Sequence, residues 1–326
     1  MKRLGKGLRS LVAATALVGM TLAATGAAAQ ETLRVGYNQW IGSAGMFVAM
    51  ATGLFEKHGV SVEFTEFAGP GDGVTAVLAG QLDGVLTTTD NVILLADKAG
   101  PGKMVQVYFT DTSAGADAII ARKEYKTVAD LKGKTVAATV GQVNHLLLIK
   151  ALHASGLAES DVKLVNMDAE VAGAAFVAGN LDAAVTWEPW LSKGRESGGN
   201  IVFSSADAPN LILDTFAVNA GLAKAKPEAV KAFIAAVDEG TRLVVEKPEQ
   251  ALPILAHQLG TSSEEAAGML AGVKLYGIEE NRKLFASGDL VKAAQEVADF
   301  LESRMIVGEH QDVAPLFDSS YVDGAM

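Results

Sequence analysis

The tryptophans of this sequence are the side chains whose positions first indicate binding chemistry. Two of the three, Trp187 and Trp190, lie in one predicted loop, and the third, Trp40, lies in another. Only 6% of the residues are aromatic, so two tryptophans in one loop form a notable concentration. An indole face packs well against a small alkyl group or a cation. A cleft that brought these loops together would therefore suit a small organic ligand.

Further polar candidates follow the predicted strands of an α/β pattern. In open α/β sheets, ligands bind at the carboxyl ends of parallel strands, where helix N-termini converge with unpaired N–H groups. One more candidate, an acid, lies on a later strand that returns to the first sheet. The candidate ligand-binding residues are Asn38, Trp40, Thr88, Thr89, Asp90, Gln142, Asn144, His145, Trp187, Glu188 and Asp214.

Each candidate also has an ordinary structural interpretation. Thr88, Asp90 and Asn144 are residue types that cap helices. His145 could be a half-buried histidine whose hydrogen bonds are satisfied within the protein. Trp187 could pack in the core or on the surface. The sequence leaves these alternatives open.

The acidic candidates predict the sign of the ligand's charge. Asp90, Glu188 and Asp214 fall in the predicted cleft, and its loops contain no lysine or arginine. Two unit charges about 4 Å apart interact by roughly 4 kcal/mol at an effective dielectric near 20, so a carboxylate facing a bare anion is costly. We therefore expect a ligand with a positive group. Helix N-termini at Thr89 and Asn144 could hold an anionic end, so a zwitterion also fits.

The sequence carries none of the familiar catalytic or metal-binding patterns. It has no Gly-x-Ser-x-Gly elbow, no His-Glu-x-x-His pair and no phosphate loop ending in Gly-Lys-Ser/Thr. Its five histidines lack metal-ligand spacing, and it has no cysteine. We expect no enzyme activity, no cofactor and no metal.

Composition indicates a globular protein that is exported. The 326 residues are 49% hydrophobic, and the net charge of −11 disfavours nucleic acid as a partner. A basic start, an apolar run over residues 11–24 and small residues at 27–29 predict a signal peptide over residues 1–29, cleaved after Ala29. The run is shorter than the roughly 20 residues that span a bilayer. We expect a periplasmic monomer without a lipid-modified cysteine.

Strand-like and helical segments alternate in two series. Their alternation predicts an α/β fold with mainly parallel sheets and right-handed crossovers. From residue 228 to residue 301 the chain has an almost wholly helical pattern, and these helices need a sheet to cover. The simplest topology has the chain visit a second lobe and return. The predicted lobes are residues 30–117 with 215–326 for the first and residues 118–214 for the second.

Five phrases of the sequence, in this order, resemble the nitrate/sulfonate/taurine family of periplasmic solute-binding proteins of ABC transporters. The resemblance implies a type II periplasmic-binding fold, in which two doubly wound α/β lobes are joined by two crossing strands, here near residues 111–121 and 211–219. It also implies a small solute in the cleft and an inner-membrane ABC permease as partner. The phrases are Gly36-Tyr37 with Trp40, ATGLFEKHGV at 51–60, GQLD at 80–83, DLKGKTV at 130–136 and GNLDAAVTWEP at 179–189.

The resemblance places the family's ligand loops on the candidates given above: residues 38–40, 88–89, 142–145 and 187–189, with Asp214 as the hinge-strand acid. Anion-binding members offer hydroxyls where this chain adds Asp90, which disfavours nitrate. We expect a taurine-like aminosulfonate or a related nitrogen compound; a plain alkanesulfonate or nitrate is the alternative. A second class of function is that of the enzymes of this fold that make a thiamine pyrimidine precursor, but these need a cysteine-rich iron motif that this chain lacks. A third class is a sensor or protein-binding module.

Overall fold

The computed structural model describes residues 31–67, 69–100, 102–308 and 312–325. The signal peptide predicted for residues 1–29 lies outside the described residues. The strands of the described residues are β1 (Glu31–Tyr37), β2 (Val60–Glu66), β3 (Gly84–Thr88), β4 (Met104–Ser113), β5 (Asp117–Ala121), β6 (Thr135–Ala138), β7 (Lys163–Asn166), β8 (Ala183–Trp187), β9 (Asn200–Ser204), β10 (Leu213–Asn219) and β11 (Val273–Leu275).

Helices connect these strands and form most of the C-terminal third. The helices of the described residues are α1 (Ala44–Thr52), α2 (Leu54–Lys57), α3 (Pro70–Leu78), α4 (Thr89–Ala99), α5 (Val143–Ala154), α6 (Ala169–Val177), α7 (Trp190–Glu196), α8 (Ala220–Ala225), α9 (Pro227–Glu246), α10 (Pro248–Leu259), α11 (Ser263–Leu270), α12 (Ile278–Ser287), α13 (Asp289–Ser303) and α14 (Ser320–Asp323).

The strands form two sheets, and most strands of each sheet run in one direction, as the alternation predicts. The orders are β11-β4-β10-β3-β1-β2 and β7-β6-β8-β5-β9. β1 is parallel to β2 and β3, and β6 is parallel to β7 and β8. β10 is antiparallel to β3 and β4, and β5 is antiparallel to β8 and β9, so β4 and β9 run with the majority of their sheets. The exceptions β5 and β10 arise because the chain crosses between the sheets twice, and each strand that arrives from the other sheet runs in the opposite direction.

The two crossings are short and lie where the resemblance implies them. The chain passes from β4 in the first sheet to β5 in the second, and returns from β9 to β10. Asp117 begins β5 and Asp214 lies in β10, so each residue belongs to the sheet opposite to the lobe that the predicted boundaries assign it. The remaining lobe boundaries stay a prediction.

The helical C-terminal region packs on the first sheet and contributes one strand to it. Stacked rings of Phe216 in β10 and Phe233 in α9, with centroids 4.2 Å apart, join sheet and helix. Helices α9 and α10 begin at prolines, where the missing N–H would be unpaired in any case. The segment 228–301, predicted to be almost wholly helical, is interrupted by β11, which adds to the edge of β4. This short strand forms through tertiary pairing, which local sequence does not encode.

Candidate functional site

A cavity lies at the ends of the strands that carry the candidate residues. It encloses about 390 Å³ of space, including its open mouth. Its lining comes from both sheets: the carboxyl ends of β1, β3 and β8, the N-terminus of α5, and the crossing strands β5 and β10. The lining residues are Asn38, Trp40, Pro70, Thr88, Asp117, Gln142, Val143, Asn144, Trp187, Ile212 and Asp214.

Most of the predicted site residues meet at this cavity. Those that line it are Asn38, Trp40, Thr88, Gln142, Asn144, Trp187 and Asp214. Four others, Thr89, Asp90, His145 and Glu188, are buried beside it with partners of their own. The lining residues that the sequence interpretation missed are Pro70, Asp117, Val143 and Ile212.

Asp214 is held in the middle of the first sheet. In β10 it lies opposite Thr88 of β3 on one side and Asp111 of β4 on the other. Its side chain is buried, and its Oδ2 has no hydrogen-bond partner among the described residues. Burial, together with the charges of Asp111, Asp117 and Asp90, raises the pKa of Asp214 well above its ordinary value. A buried carboxylate without a partner is costly, and a cation in the cavity would supply one.

Asp117 presents a second such carboxylate from the second sheet. It lies opposite Trp187 where β5 pairs with β8, and its backbone N–H donates to Oγ of Ser113 at 3.1 Å. Its Oδ2 also has no partner in the described part of the chain. Burial raises the pKa of Asp117 to about 7, and the charge of Asp90 adds to the rise. The two sheets thus each place at the cavity one acid that has a carboxylate oxygen without a hydrogen bond.

Trp40 is fixed by a third buried acid. Its Nε1 donates to both carboxylate oxygens of Asp111, each 3.3 Å away. A Cβ on Gly42 would lie 2.1 Å from Oδ1 of Asp111 and 2.3 Å from Nε1 of Trp40, so this contact requires a glycine. Burial raises the pKa of Asp111 to about 7. Asp111 therefore orients the indole from below the cavity floor and adds negative charge to the site.

The charge of the site is one-sided. Asp117 and Asp214 line the cavity, and Asp90 and Asp111 are buried behind them. The described residues that line the cavity include no lysine or arginine. Burial disfavours the ionised form of each carboxyl group and raises its pKa. Without a basic partner, all four groups cannot be ionised at low cost. The arrangement is suited to a ligand that brings a positive charge.

Trp187 lines the cavity, whereas its neighbour Trp190 does not. Trp187 ends β8, is 9% exposed and packs against the core, and its Nε1 finds no acceptor within the described residues. Trp190 begins α7, where Nζ of Lys193 lies 4.5 Å above its ring and the Gly173 backbone lies against it. Of the two indoles in this loop, only that of Trp187 can therefore contact a ligand in this cavity.

Glu188 and His145 already have contacts within the protein. Oε2 of Glu188 accepts from the Ser192 N–H at 2.9 Å, and Oε1 pairs with Nη2 of Arg195 at 2.6 Å. The buried His145 ring accepts from the Gly141 N–H at 3.3 Å, and burial lowers its pKa. The contacts of Glu188 support an ordinary structural role, whereas Nε2 of His145 is buried 3.5 Å from Oε1 of Glu159 without a hydrogen bond.

Thr89 and Asp90, at the start of α4, also make interactions away from the cavity. Thr89 donates its hydroxyl to Oε1 of Gln106 at 2.8 Å. Oδ2 of Asp90 accepts a hydrogen bond of 3.0 Å from the N–H of Val143, in the opposite unit of the fold. Both residues thus help to build the walls of the site.

A second cavity, of about 540 Å³, adjoins the first. The two share Pro70, Gln142 and Trp187 in their linings. The second cavity also has Asp168 and Glu170 at the start of α6. Burial and the charges of nearby acids raise the pKa of Glu170. The space next to the first cavity is therefore acidic as well.

Neither a metal-binding cluster nor a membrane-spanning helix occurs among the described residues. No group of three or more histidine or acidic side chains there has the arrangement needed to hold a metal ion. None of the described helices is both long enough and apolar enough to cross a membrane.

Comparison with known proteins gives one family and a consistent set of relatives. The family described as NMT1/THI5 like matches residues 40–251. The aliphatic sulfonates-binding protein of Escherichia coli, which is described as putative there, is 28% identical over 254 residues, or 77% of this chain and 78% of its own. The taurine-binding periplasmic protein of the same bacterium is 24% identical over 270 residues, or 79% and 82%.

A solved structure agrees with these relatives. The crystal structure of the periplasmic aliphatic sulphonate binding protein from Escherichia coli has a TM-score of 0.73 at 26% identity, and the match covers 87% of this chain and 96% of that one. The α/β fold of periplasmic binding proteins, predicted from the sequence, is thereby confirmed.

Proposed function

The chain belongs to the NMT1/THI5-like family, and from this premise we propose that it captures a small amine-bearing or zwitterionic solute for an ABC importer. Its relatives are solute-binding proteins of such importers and not enzymes. Their place in the periplasm and their membrane permease partner support the same setting for this chain. A taurine-like aminosulfonate is one solute of the proposed class.

One observation carries the proposal: Asp117 and Asp214 line the cavity, and each has an unpaired carboxylate oxygen. A positive group placed between them would pair two buried acids at once, which a plain sulfonate cannot do. A charged hydrogen bond to a buried carboxylate is worth about 1.5–3 kcal/mol. The ligand's positive group is therefore the feature we expect the site to select.

Lobe closure is the proposed mechanism. The solute would contact Asn38 and Trp40 from the first sheet and Asn144 and Trp187 from the second. A ligand that touches both lobes stabilises the closed arrangement by its differential affinity for it. The permease would then recognise the closed form, and the solute would leave chemically unchanged.

The proposal is tested by a thermal-shift screen of the mature chain. The panel contains taurine, ethylamine, methylguanidine and ethanesulfonate, so that one two-carbon skeleton is tried with an amine, a sulfonate or both. A ligand at 100 times its Kd stabilises by about 2.7 kcal/mol, which is readily measured. We expect the amine or guanidine compounds to raise the melting temperature, and small-angle scattering to show compaction with the same compounds. Ethanesulfonate binding as tightly as every amine-bearing probe would contradict the proposal.

The second candidate function is capture of a plain alkanesulfonate. It is favoured by two relatives that are named for aliphatic sulfonates, from Escherichia coli and Bacillus subtilis, and by the solved structure. Against it stand the four buried acids and the lack of a basic residue in the described lining. The ethanesulfonate arm of the screen decides between the two candidates.

Trp187 gives a separate prediction. We expect Trp187→Phe to weaken binding of the positive probe by about 5- to 30-fold, because the smaller ring loses stacking area and the indole N–H, effects of about 1–2 kcal/mol. Since Trp187 also packs in the core, the variant should lose a few degrees of melting temperature. Calorimetric titration measures the affinity. Trp190→Phe is the matched control, and equal losses of affinity in both variants would contradict a contact between Trp187 and ligand.

A further inference from the structure

One acid of the site bonds across the cleft and does not face the cavity. Asp90 is the second residue of α4, next to the first sheet, and is fully buried. Its Oδ2 accepts a hydrogen bond of 3.0 Å from the N–H of Val143, the first residue of α5 in the other unit of the fold. The carboxyl group of one half therefore caps a helix of the other half.

The N-terminus that Asp90 caps would otherwise be an anion site. Helix N-termini carry partial positive charge and unpaired N–H groups, and they bind carboxylate, phosphate or sulfonate groups readily. The N-cap residue of α5, Gln142, makes no side-chain capping bond of its own. Asp90 thus supplies from within the protein the anion that this twelve-residue helix favours.

Buried polar side chains at the first turn of α5 also indicate contact with a ligand. Asn144, the second residue of α5, is 1% exposed and lines the cavity, and its Nδ2 makes no hydrogen bond of ordinary geometry to the described residues, although its side chain interacts with Asp117 and lowers the pKa of that acid. The second oxygen of Asp90, Oδ1, is likewise buried without a hydrogen bond of ordinary geometry. At the N-terminus of α5 there are therefore buried polar atoms without hydrogen bonds of ordinary geometry. The position that an anion would take there is already occupied by Asp90.

We propose that Asp90 is the specificity-determining residue of this site: by occupying the N-terminus of α5, it excludes solutes with an anionic end and restricts the ligand to a cation without a sulfonate or carboxylate. This inference rests on the proposed function and narrows it from amine-bearing or zwitterionic solutes to simple cations. A sulfonate that approached Val143 would meet the carboxyl group of Asp90, with Asp117 and Asp214 in the same cavity.

The consequence for a zwitterion is specific. Taurine and ethylamine share a two-carbon skeleton and an ammonium group, so the acids at the cavity should hold that group equally in both. Of the two compounds, only taurine carries a sulfonate, which would bind at an anion site. If Asp90 fills that site, the wild-type protein binds ethylamine at least tenfold more tightly than taurine.

The experiment is calorimetric titration of ethylamine, taurine and ethanesulfonate into wild type, Asp90→Ala and Asp90→Asn. Asp90→Ala vacates the helix N-terminus, so we expect taurine to gain at least tenfold relative to ethylamine. Asp90→Asn keeps the shape and an acceptor for Val143 but removes the charge, and a smaller gain is expected. Asp168→Ala is the matched control, because it removes one charge from the cleft at the start of α6 without vacating α5. We expect no relative gain for taurine in this control.

Several outcomes would overturn the inference. Wild type binding taurine as tightly as ethylamine would do so without any variant, which covers the case in which Asp90→Ala does not fold. An unchanged ratio of taurine to ethylamine in folded Asp90→Ala, or an equal gain in Asp168→Ala, would do so too. Each leaves the preference for amines over ethanesulfonate intact, so failure of this inference is distinct from failure of the proposed function. No binding of ethylamine at millimolar concentration would contradict the inference directly.

Discussion

Asp214→Asn is expected to remove binding of a positively charged solute and to make the ligand-free protein more stable at pH 8. Burial, together with neighbouring acids, raises the pKa of Asp214 well above its ordinary value. Such a carboxyl group binds more protons in the folded than in the unfolded chain, so its contribution to stability falls as pH rises from about 4. Asparagine has no charge to bury, and the loss at high pH disappears.

The effect on binding has the opposite sign because the same charge faces the ligand. A charge pair about 4 Å apart at an effective dielectric near 20 is worth roughly 4 kcal/mol before desolvation, so a loss on the order of 100-fold in Kd is expected. Calorimetric titration with methylguanidine measures the affinity, and thermal melts at pH 8 measure the stability. A variant that loses binding by unfolding would show a lower melting temperature, which is the reverse of this expectation.

Asp83→Asn is the matched control for a buried acid. Nη2 of Arg34 lies 2.6 Å from Oδ1 of Asp83, away from the cavity. Burial alone would raise the pKa of Asp83, but the hydrogen bonds and charge of Arg34 lower it overall. We expect this variant to lose stability at pH 8 and to retain the affinity of the folded protein for methylguanidine. If both variants, or neither, were more stable than wild type at pH 8, a basic partner would not determine whether neutralising a buried acid raises or lowers stability.

The positions that local pattern could predict are those at the ends of strands. Asn38, Thr88 and Trp187 each follow or end a strand, and in a sheet with parallel neighbours those ends converge on one edge. Asp214 was singled out as an acid on the strand that returns to the first sheet, and the family resemblance added its role as the hinge-strand acid. The loops of the cavity were thus predictable from periodicity, and the hinge acid was predictable from its strand together with the family pattern.

The misses have physical causes that local sequence does not carry. Asp117 directly precedes the apolar run 118–121, so an acid at the first position of that strand was overlooked. Glu188 lies in the turn between β8, which ends at Trp187, and α7. The indole reaches the cavity, while the carboxylate is held by Ser192 and Arg195 of α7. Asp90 meets Val143 across 53 residues of chain, a contact that only the juxtaposition of the two sheets creates.

Affinity for methylguanidine is expected to rise on the order of 100-fold between about pH 5 and about pH 8. Burial raises the pKa of Asp117, and likewise that of Asp111, to about 7. The guanidinium group keeps its charge across this range, so only the protein titrates. The cation binds the ionised carboxyl group, which must therefore lose its proton, and for one group of this pKa the apparent affinity falls about tenfold per unit below pH 7.

The surrounding groups reinforce this direction. The pKa values of Asp90 and Asp214 are raised by burial as well, so their ionisation also becomes more favourable as pH rises. Burial lowers the pKa of His145, which disfavours positive charge on that ring near α5. The cations nearest in sequence to the Trp187 loop are Lys193, which lies over the Trp190 ring, and Arg195, which pairs with Glu188. Proton release from the acids should therefore dominate the pH dependence.

The measurement is calorimetric titration from pH 5 to pH 8 in two buffers of different ionisation enthalpy, since the difference in apparent enthalpy counts the protons released on binding. We expect about one proton released near pH 6. Asp117→Asn should lower the affinity at pH 8 and reduce the number of protons released, while affinity still rises with pH, because Asp214 faces the cavity and its pKa is raised as well. An affinity that is constant with pH, or that falls as pH rises, would show that the ligand does not bind through ionised carboxylates, and the selection of a positive group would then lose its physical basis.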